Sequence, residues 1–279
     1  MRNLIMGTAT GYSVAQLSPF VKSARGFHPD DDIALIVNMP LASDVEALFK
    51  EYGVISLSFQ ASSLIPGPVQ NVRYFRYADH ILERAGEYAD VFLADTRDLV
   101  FQGNVFQVDR ESYLYCFLED VHFTIGTQHD NANWIRHVYS DQLLRELHDK
   151  RIICWGTVLG DATSIMRFLQ KYQATINLLW LIQHFERNKD FGHMVVMDQA
   201  IPTWIYYKSN DIGIEAKENG NIVGTLGLTV MHPDAIKNIS QDADGILHVY
   251  GHRPAVIHQY DRNAQLQAFY SSKYQQEKP

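Results

Sequence analysis

Short apolar runs alternate with amphipathic stretches through the first third of the chain. Residues 4–6 read as a buried strand leading into a small-residue loop, and residues 14–24 as a helix whose boundary Pro19 blurs. Residues 33–37 are a second apolar run. Ser43 followed three positions later by Glu46 spells a capping box that opens a helix to about Tyr52. Residues 54–59 are a third strand. In residues 72–85, Val72, Phe75, Ile81, Leu82 and Ala85 can share one helical face. Residues 91–94 form another apolar run, which stops at Asp95, and Leu99–Phe101 follows it closely. Strand and helix thus alternate three times, the pattern of a mainly parallel sheet covered on both faces. Ligands of such sheets sit beyond the carboxyl ends of the strands, where the first loop and the turn after residue 94 both fall.

The alternation weakens past Asp109. Residues 113–118 read as a strand, 131–140 as loop leading into helix, and 152–154 as a short strand entering a segment with Gly156 and Gly160. Asp161 or Thr163 can then cap a long helix running to about Asn188. Ile165, Phe168, Leu169, Tyr172 and Ile176 recur in it at threes and fours, as in a core-packed helix. A further helical stretch begins over Met197–Ala200, in which Pro202 fits only if it falls in the first turn. Residues 212–228 carry strand-like pieces punctuated by Asn219-Gly220, which reads as a hairpin. A last strand over 255–257 ends in His258, and residues 271–279 read as a frayed polar tail.

Composition narrows the class. The chain has 279 residues, 46% of them hydrophobic and 20% charged, as expected of a globular protein. A formal net charge of −8 argues against a general nucleic-acid binder, though a local basic pocket for phosphate remains compatible. Two cysteines, Cys116 and Cys154, give neither a disulfide framework nor a metal–thiolate spacing. No stretch approaches the ~18 apolar residues of a membrane span. The N-terminus lacks the apolar run and small-residue site of a signal peptide. These features point to a cytoplasmic location.

Two stretches carry candidate chemistry. Asp95 and Asp98 lie three apart with Arg97 between them. Clustered carboxylates at a strand end suit Mg²⁺ or Mn²⁺, which can neutralise phosphate oxygens. An isolated D-x-x-D is also a common turn. Gly7, Thr8, Ala9, Thr10, Gly11 and Tyr12 form a small-residue loop whose backbone can approach a nucleotide closely. The loop is neither G-x-G-x-x-G nor a P-loop, for it lacks the lysine.

Over residues 3–262 these pieces together resemble a GT-A fold nucleotide-sugar glycosyltransferase of the glycogenin and galactosyltransferase type. The resemblance implies an α/β fold, an open mixed sheet flanked by helices. Residues 1–108 would form a nucleotide-sugar-binding half, 109–262 an acceptor-binding half, and 263–279 a polar tail. It places the donor's base and ribose at Gly7–Tyr12 and assigns the diphosphate to Arg76, with Arg73 as the alternative on the same segment. Asp95, Asp98 and His258 become the ligands of a divalent metal. The family's motif is D-x-D. Here Arg97 stands at that offset, so the turn is either a D-x-x-D variant or one in which Arg97 meets the diphosphate directly. Trp155 and Gly156 fall in a Gly-containing segment that lines donor and acceptor sugars. Asp198 and Gln199 match an Asp-Gln pair at a helix start, nearest the reacting sugar, although Asp198 could equally be a helix N-cap.

The implied activity is metal-assisted transfer, with retention, from a UDP- or GDP-sugar to a hydroxyl of a glycan or glycolipid acceptor. The acceptor would be soluble or reached at a membrane surface. Trp134 and Trp155 are candidate sugar platforms; Trp134 reads as packing and Trp155 stays open. Glu119 or Asp120 could activate an acceptor hydroxyl if the reaction inverts. The rival readings are a sugar-phosphate nucleotidyltransferase and a non-catalytic nucleotide- or carbohydrate-binding protein on the same scaffold.

Overall fold

A computed structural model describes residues 1–59, 68–108, 113–185 and 197–275. Three strand–helix units open the chain: β1 (Arg2–Thr8) and α1 (Val14–Phe27), β2 (Asp32–Val37) and α2 (Ser43–Glu51), β3 (Val54–Ser58) and α3 (Val69–Glu83). Next come β4 (Tyr88–Asp95), β5 (Leu99–Phe101), β6 (Leu114–Leu118), α4 (His129–Val138), α5 (Asp141–Leu147), β7 (Ile153–Asp161), α6 (Ala162–Phe185) and α7 (Met197–Lys208). Four short strands, β8 (Glu215–Lys217), β9 (Val223–Thr225), β10 (Ile239–Gln241) and β11 (Leu247–Val249), lead to β12 (Val256–His258) and α8 (Ala264–Gln275).

The main sheet runs β3-β2-β1-β4-β7-β6-β8. Pairs β3–β2, β2–β1 and β1–β4 are parallel, and β7 lies antiparallel to both β4 and β6. The chain builds outward from β1 to β3, then returns to β1's other side with β4. That reversal leaves a crevice beyond the carboxyl ends of β1 and β4, the place where open sheets of this type bind ligands. Thr8 stands opposite Asp95 there. Two apolar layers sandwich the sheet. One joins Ile5, Phe20, Leu35 and Phe92 with α1 and α2; the other joins Leu4, Met6, Tyr74, Phe168 and Ile201 with α3, α6 and α7. A smaller sheet, β5-β12-β9, closes the crevice at one side.

Several local expectations are corrected. Ser43 is the first residue of α2, behind Ala42 as N-cap, so its capping box does not form. The reciprocal contact occurs instead at α1, where Gln16 Oε1 accepts from the Ser13 N–H at 3.0 Å. Helix α1 continues past Pro19 to Phe27. The short strand expected over 152–154 becomes the nine-residue β7, which carries the Gly156–Gly160 segment through the middle of the sheet. Asp161 caps α6, accepting from the Ser164 N–H at 2.9 Å, and the expected helix end at Asn188 lies outside the described residues. Asn219-Gly220 makes no hairpin: Gly220 turns at φ +91°, but β8 joins β6 and β9 joins β12, in different sheets. The stretch from Ser271 to Gln275 continues a helix in which Leu266 and Tyr270 are buried, while 276–279 lie outside the described residues.

Candidate active site

Strand β4 ends at Asp95, and Thr96-Arg97 turn the chain so that Asp98 comes back to the same side before β5 begins. Strand β12 pairs antiparallel with β5, with His258 opposite Leu99. That register sets the His258 ring beside the acidic turn although 160 residues separate it from Asp98. His258 Nε2 is 3.6 Å from Asp95 Oδ2 and 3.6 Å from Asp98 Oδ1. Ligand atoms of the three residues all lie within 4.8 Å of one another. An ion with bonds of ~2.1–2.4 Å can span such a group.

Two observations fit a metal here. His258 is fully buried, yet its Nε2 has no hydrogen-bond partner. Gly156 in β7 borders the group, and a methyl there would lie 2.5 Å from both Asp95 Oδ2 and His258 Cε1. The donor set of two carboxylates and an imidazole suits a divalent ion such as Mn²⁺ or Mg²⁺. Burial resists ionisation of Asp95, but the Arg73 guanidinium and His258 outweigh it and hold the carboxyl well below its usual range. Burial pushes Asp98 up, against the pull of His258 and with the help of Asp95. Burial also opposes a charge on His258, but Cys154 and the two carboxylates raise its pKa well above that of a free imidazole.

The group opens into a cleft of about 840 Å³ lined by Arg73, Asp95, Glu119, Asn131, Trp134, Cys154, Trp155, Gly156, Asp198, Gln199, Gln259 and Arg262, among others. Arg73, on the first turns of α3, hydrogen-bonds Asp95 and lies 3.6 Å from Asp198. Asp198, at the start of α7, is pushed up to about 6 by burial, with Arg73 pulling the other way. Gln199 is held by its amide nitrogen, which donates to Ile153 O at 2.7 Å and to Asn131 Oδ1 at 3.2 Å. Both amide hydrogens are used, which leaves Oε1 as the atom the side chain could offer a ligand. Asn131 is fixed in turn by Gln128, whose Oε1 accepts from its backbone N–H and its Nδ2.

The other expected residues are placed differently. Arg76 faces the outer strand: its Nε donates to Ser58 O at the end of β3, with β2 and β1 between it and β4, and it pairs with Glu83. Arg73, the alternative on the same segment, lies beside Asp95 and Asp198 on the cleft. Arg97 lies 3.2 Å from Asp261 and 3.9 Å from Asp98, beside the acidic turn but outside the lining of the cleft. Trp155 is core, stacked on Phe168 at 5.6 Å with its Nε1 donating to Thr203; its face is covered and offers no sugar platform. The half-exposed ring on the cleft is Trp134 instead. Asp120 is fully buried and saturated by Tyr250 and His122, which removes it as a base, whereas Glu119 stands on the cleft wall. Burial pushes Glu119 up to about 7.

Gly7 and Thr8 belong to β1, and Gly7 has no room for a Cβ against Thr96. Ala9 donates its N–H to Ile36 O at 2.7 Å, and Thr10-Gly11 turn with Gly11 at φ +74°. Tyr12 follows, near enough to Arg97, Asp95, Asp98 and Arg73 to respond to their charges. The loop flanks the acidic turn without lining the 840 Å³ cleft itself. Sequence reasoning missed Arg262, Asn131 and Gln128. A signal existed for Arg262 alone, a cation four residues after His258.

No family model matches this sequence, and no curated protein matches it. Solved structures do. The galactosyltransferase LgtC, in complex with donor and acceptor sugar analogues, aligns over 99% of this chain and 97% of its own at 12% identity and a TM-score of 0.53. An active-site Gln-to-Glu variant of LgtC aligns with a TM-score of 0.52 at 13% identity. The apo form of the glycosyltransferase GlyE of Streptococcus pneumoniae aligns over 97% of this chain and 60% of its own, at 14% identity and a TM-score of 0.52. At these identities the likeness establishes architecture, and the chain has the GT-A fold that LgtC and GlyE share.

Proposed function

We propose that the protein is a metal-assisted glycosyltransferase that moves a sugar from a UDP- or GDP-sugar to a hydroxyl of a glycan or glycolipid, with retention at the anomeric carbon. The observation that carries the reading is the convergence of Asp95, Asp98 and His258 around the space that Gly156 leaves open. It lies at the mouth of a cleft large enough for a nucleotide sugar, at the sheet's switch point.

Asp95, Asp98 and His258 would hold the divalent ion, which supplies counter-charge for the diphosphate leaving group. The chain's own residues do the rest. Of the Gly7–Tyr12 loop, residues Thr10, Gly11 and Tyr12 lie past the sheet and would offer backbone N–H groups and the Tyr12 ring to the nucleoside. Arg73 and Arg262 bring cationic donors to the cleft, where charge developing on the departing phosphate oxygen would meet preorganised partners. Asp198 and Gln199 stand beside Arg73, where the donor sugar would lie, and the Gln199 carbonyl oxygen can accept from a sugar hydroxyl or face the anomeric carbon. The anomeric carbon–phosphate oxygen bond breaks, the acceptor oxygen bonds to that carbon, and the acceptor's proton leaves with the phosphate. Trp134 gives the acceptor an aromatic face. LgtC has a glutamine in its active site too, replaced by Glu in one solved variant.

The test is release of free nucleoside diphosphate from a panel of UDP- and GDP-sugars with Mn²⁺, in the presence of mono- and oligosaccharide acceptors. Turnover of one donor that stops in EDTA and in Asp98→Ala supports the reading. Tight nucleotide binding with no turnover on any acceptor makes the protein a binding module on the same fold.

A further inference from the structure

The tripeptide Cys154-Trp155-Gly156 does more than line the cleft. Alternation along β7 turns Cys154 and Gly156 to one face and the Trp155 indole to the other, where it packs on Phe168. On that shared face sits the His258 ring. Gly156 leaves room at Cε1, and Cys154 Sγ meets Nδ1 at 3.4 Å. The opposite nitrogen, Nε2, is buried, has no hydrogen-bond partner, and stands 3.6 Å from each of the two carboxylates.

We propose that Cys154 is the positioning residue of this metal site: its sulfur accepts the His258 Nδ1–H, which fixes the imidazole in the tautomer whose Nε2 lone pair faces the space between Asp95 and Asp98. A neutral imidazole carries one N–H, and the group that accepts it decides which nitrogen can ligate. Metal-binding histidines usually hand that proton to a carboxylate, a carbonyl or water. Here, among the described residues, the only partner of Nδ1 is a sulfur, in a side chain that is 4% exposed. Without this acceptor, a buried Nδ1–H would be left unsatisfied. The ring would then carry its proton on Nε2, where two carboxylates can accept it, and the lone pair needed for the ion would be gone. The inference rests on the metal site of the proposed function and extends it to a residue that touches neither ion nor substrate.

Titration of the metal-free protein with Mn²⁺, followed by electron paramagnetic resonance, tests it on wild type, Cys154→Ala, Cys154→Ser and Asp98→Ala, with thermal melts of each. Cys154→Ala should bind Mn²⁺ about 10–100-fold more weakly, and Cys154→Ser, whose hydroxyl can take the same N–H, should stay within about 3-fold of wild type. If Cys154→Ala melts early, Cys154→Thr and Cys154→Val read the same difference, since they too differ by a hydroxyl. Wild-type affinity in Cys154→Ala beside a loss in Asp98→Ala would leave the metal site standing and overturn the role of Cys154. Equal weakening in the Ala and Ser variants would overturn it as well. Absence of Mn²⁺ binding in wild type would remove the metal site and this inference together, while nucleotide binding in the same samples reports separately on the donor cleft.

Discussion

Gly156 and Asp95 stand so close that a single methyl group on residue 156 would lie 2.5 Å from Asp95 Oδ2. The same methyl would meet the His258 ring, so the chain has reserved this volume by using the one residue without a side chain. Gly156→Ala should therefore weaken Mn²⁺ binding by at least ~10-fold, because moved ligands bind poorly even when all are present. Calorimetric Mn²⁺ titration of folded Gly156→Ala measures this, and unchanged affinity would show that the reserved space has another purpose.

Arg73 and Arg76 lie one helical turn apart but do different work. Arg73 is 8% exposed and bridges Asp95 and Asp198, so Arg73→Ala strands two carboxylates and should cost about 3–5 kcal/mol. Arg76 pairs with the exposed Glu83, and Arg76→Ala should change stability by less than ~1 kcal/mol. Urea unfolding separates the two. Nucleoside diphosphate affinity should fall in Arg73→Ala and hold in Arg76→Ala.

Glu119 gives the metal-free protein a pH signature. Burial raises its folded-state pKa to about 7, above the unfolded value near 4.5. Between those values the native state holds more protons than the unfolded chain, so stability falls as pH rises through the window. Glu119→Gln has no charge to bury. It should be more stable than wild type by about 1–3 kcal/mol above pH 7, with the gap closing toward pH 4.5. Denaturant midpoints across that range check the sign; a gap that widens on acidification would contradict it.

The two tryptophans should separate packing from recognition. Trp155 is 3% exposed and stacks on Phe168, so Trp155→Ala should destabilise by about 3–5 kcal/mol. Trp134, only partly buried against the core, should cost less stability than Trp155 when changed to Ala, and Trp134→Ala should raise the acceptor KM while donor binding holds. A Trp134→Ala variant with an unaltered acceptor KM would show that its ring is a wall and not a platform.

Local pattern made the βα alternation legible, because buried parallel strands are short apolar runs between amphipathic helices. The strand-end aspartates followed from the same reading, since Asp95 closes such a run. Partners set by long-range register were harder to see. Nothing local distinguishes Arg73 from Arg76; the choice depends on which strand end each faces, and that is a property of sheet order. The roles of Trp134, which reads as packing, and Trp155, which stays open, were hard to assign for a similar reason. An indole's exposure depends on which face of β7 meets α6 and which face of α4 meets α7, and single-sequence periodicity does not report it. Strand β7 looked too short because Gly156, Thr157 and Gly160 interrupt an apolar run whose glycines serve close packing. The Cys154–His258 contact joins residues 104 apart, beyond any spacing rule.

The most direct test of the central claim is thermal stabilisation by UDP and GDP, each with Mn²⁺ and with EDTA, in wild type and in Asp98→Ala. Binding to the native state raises the melting temperature by mass action. The expected result is a shift with one nucleoside diphosphate that requires Mn²⁺ and disappears in Asp98→Ala. A shift that persists undiminished in EDTA and in Asp98→Ala, or no shift with either nucleotide, would contradict a metal-assisted donor site at Asp95, Asp98 and His258.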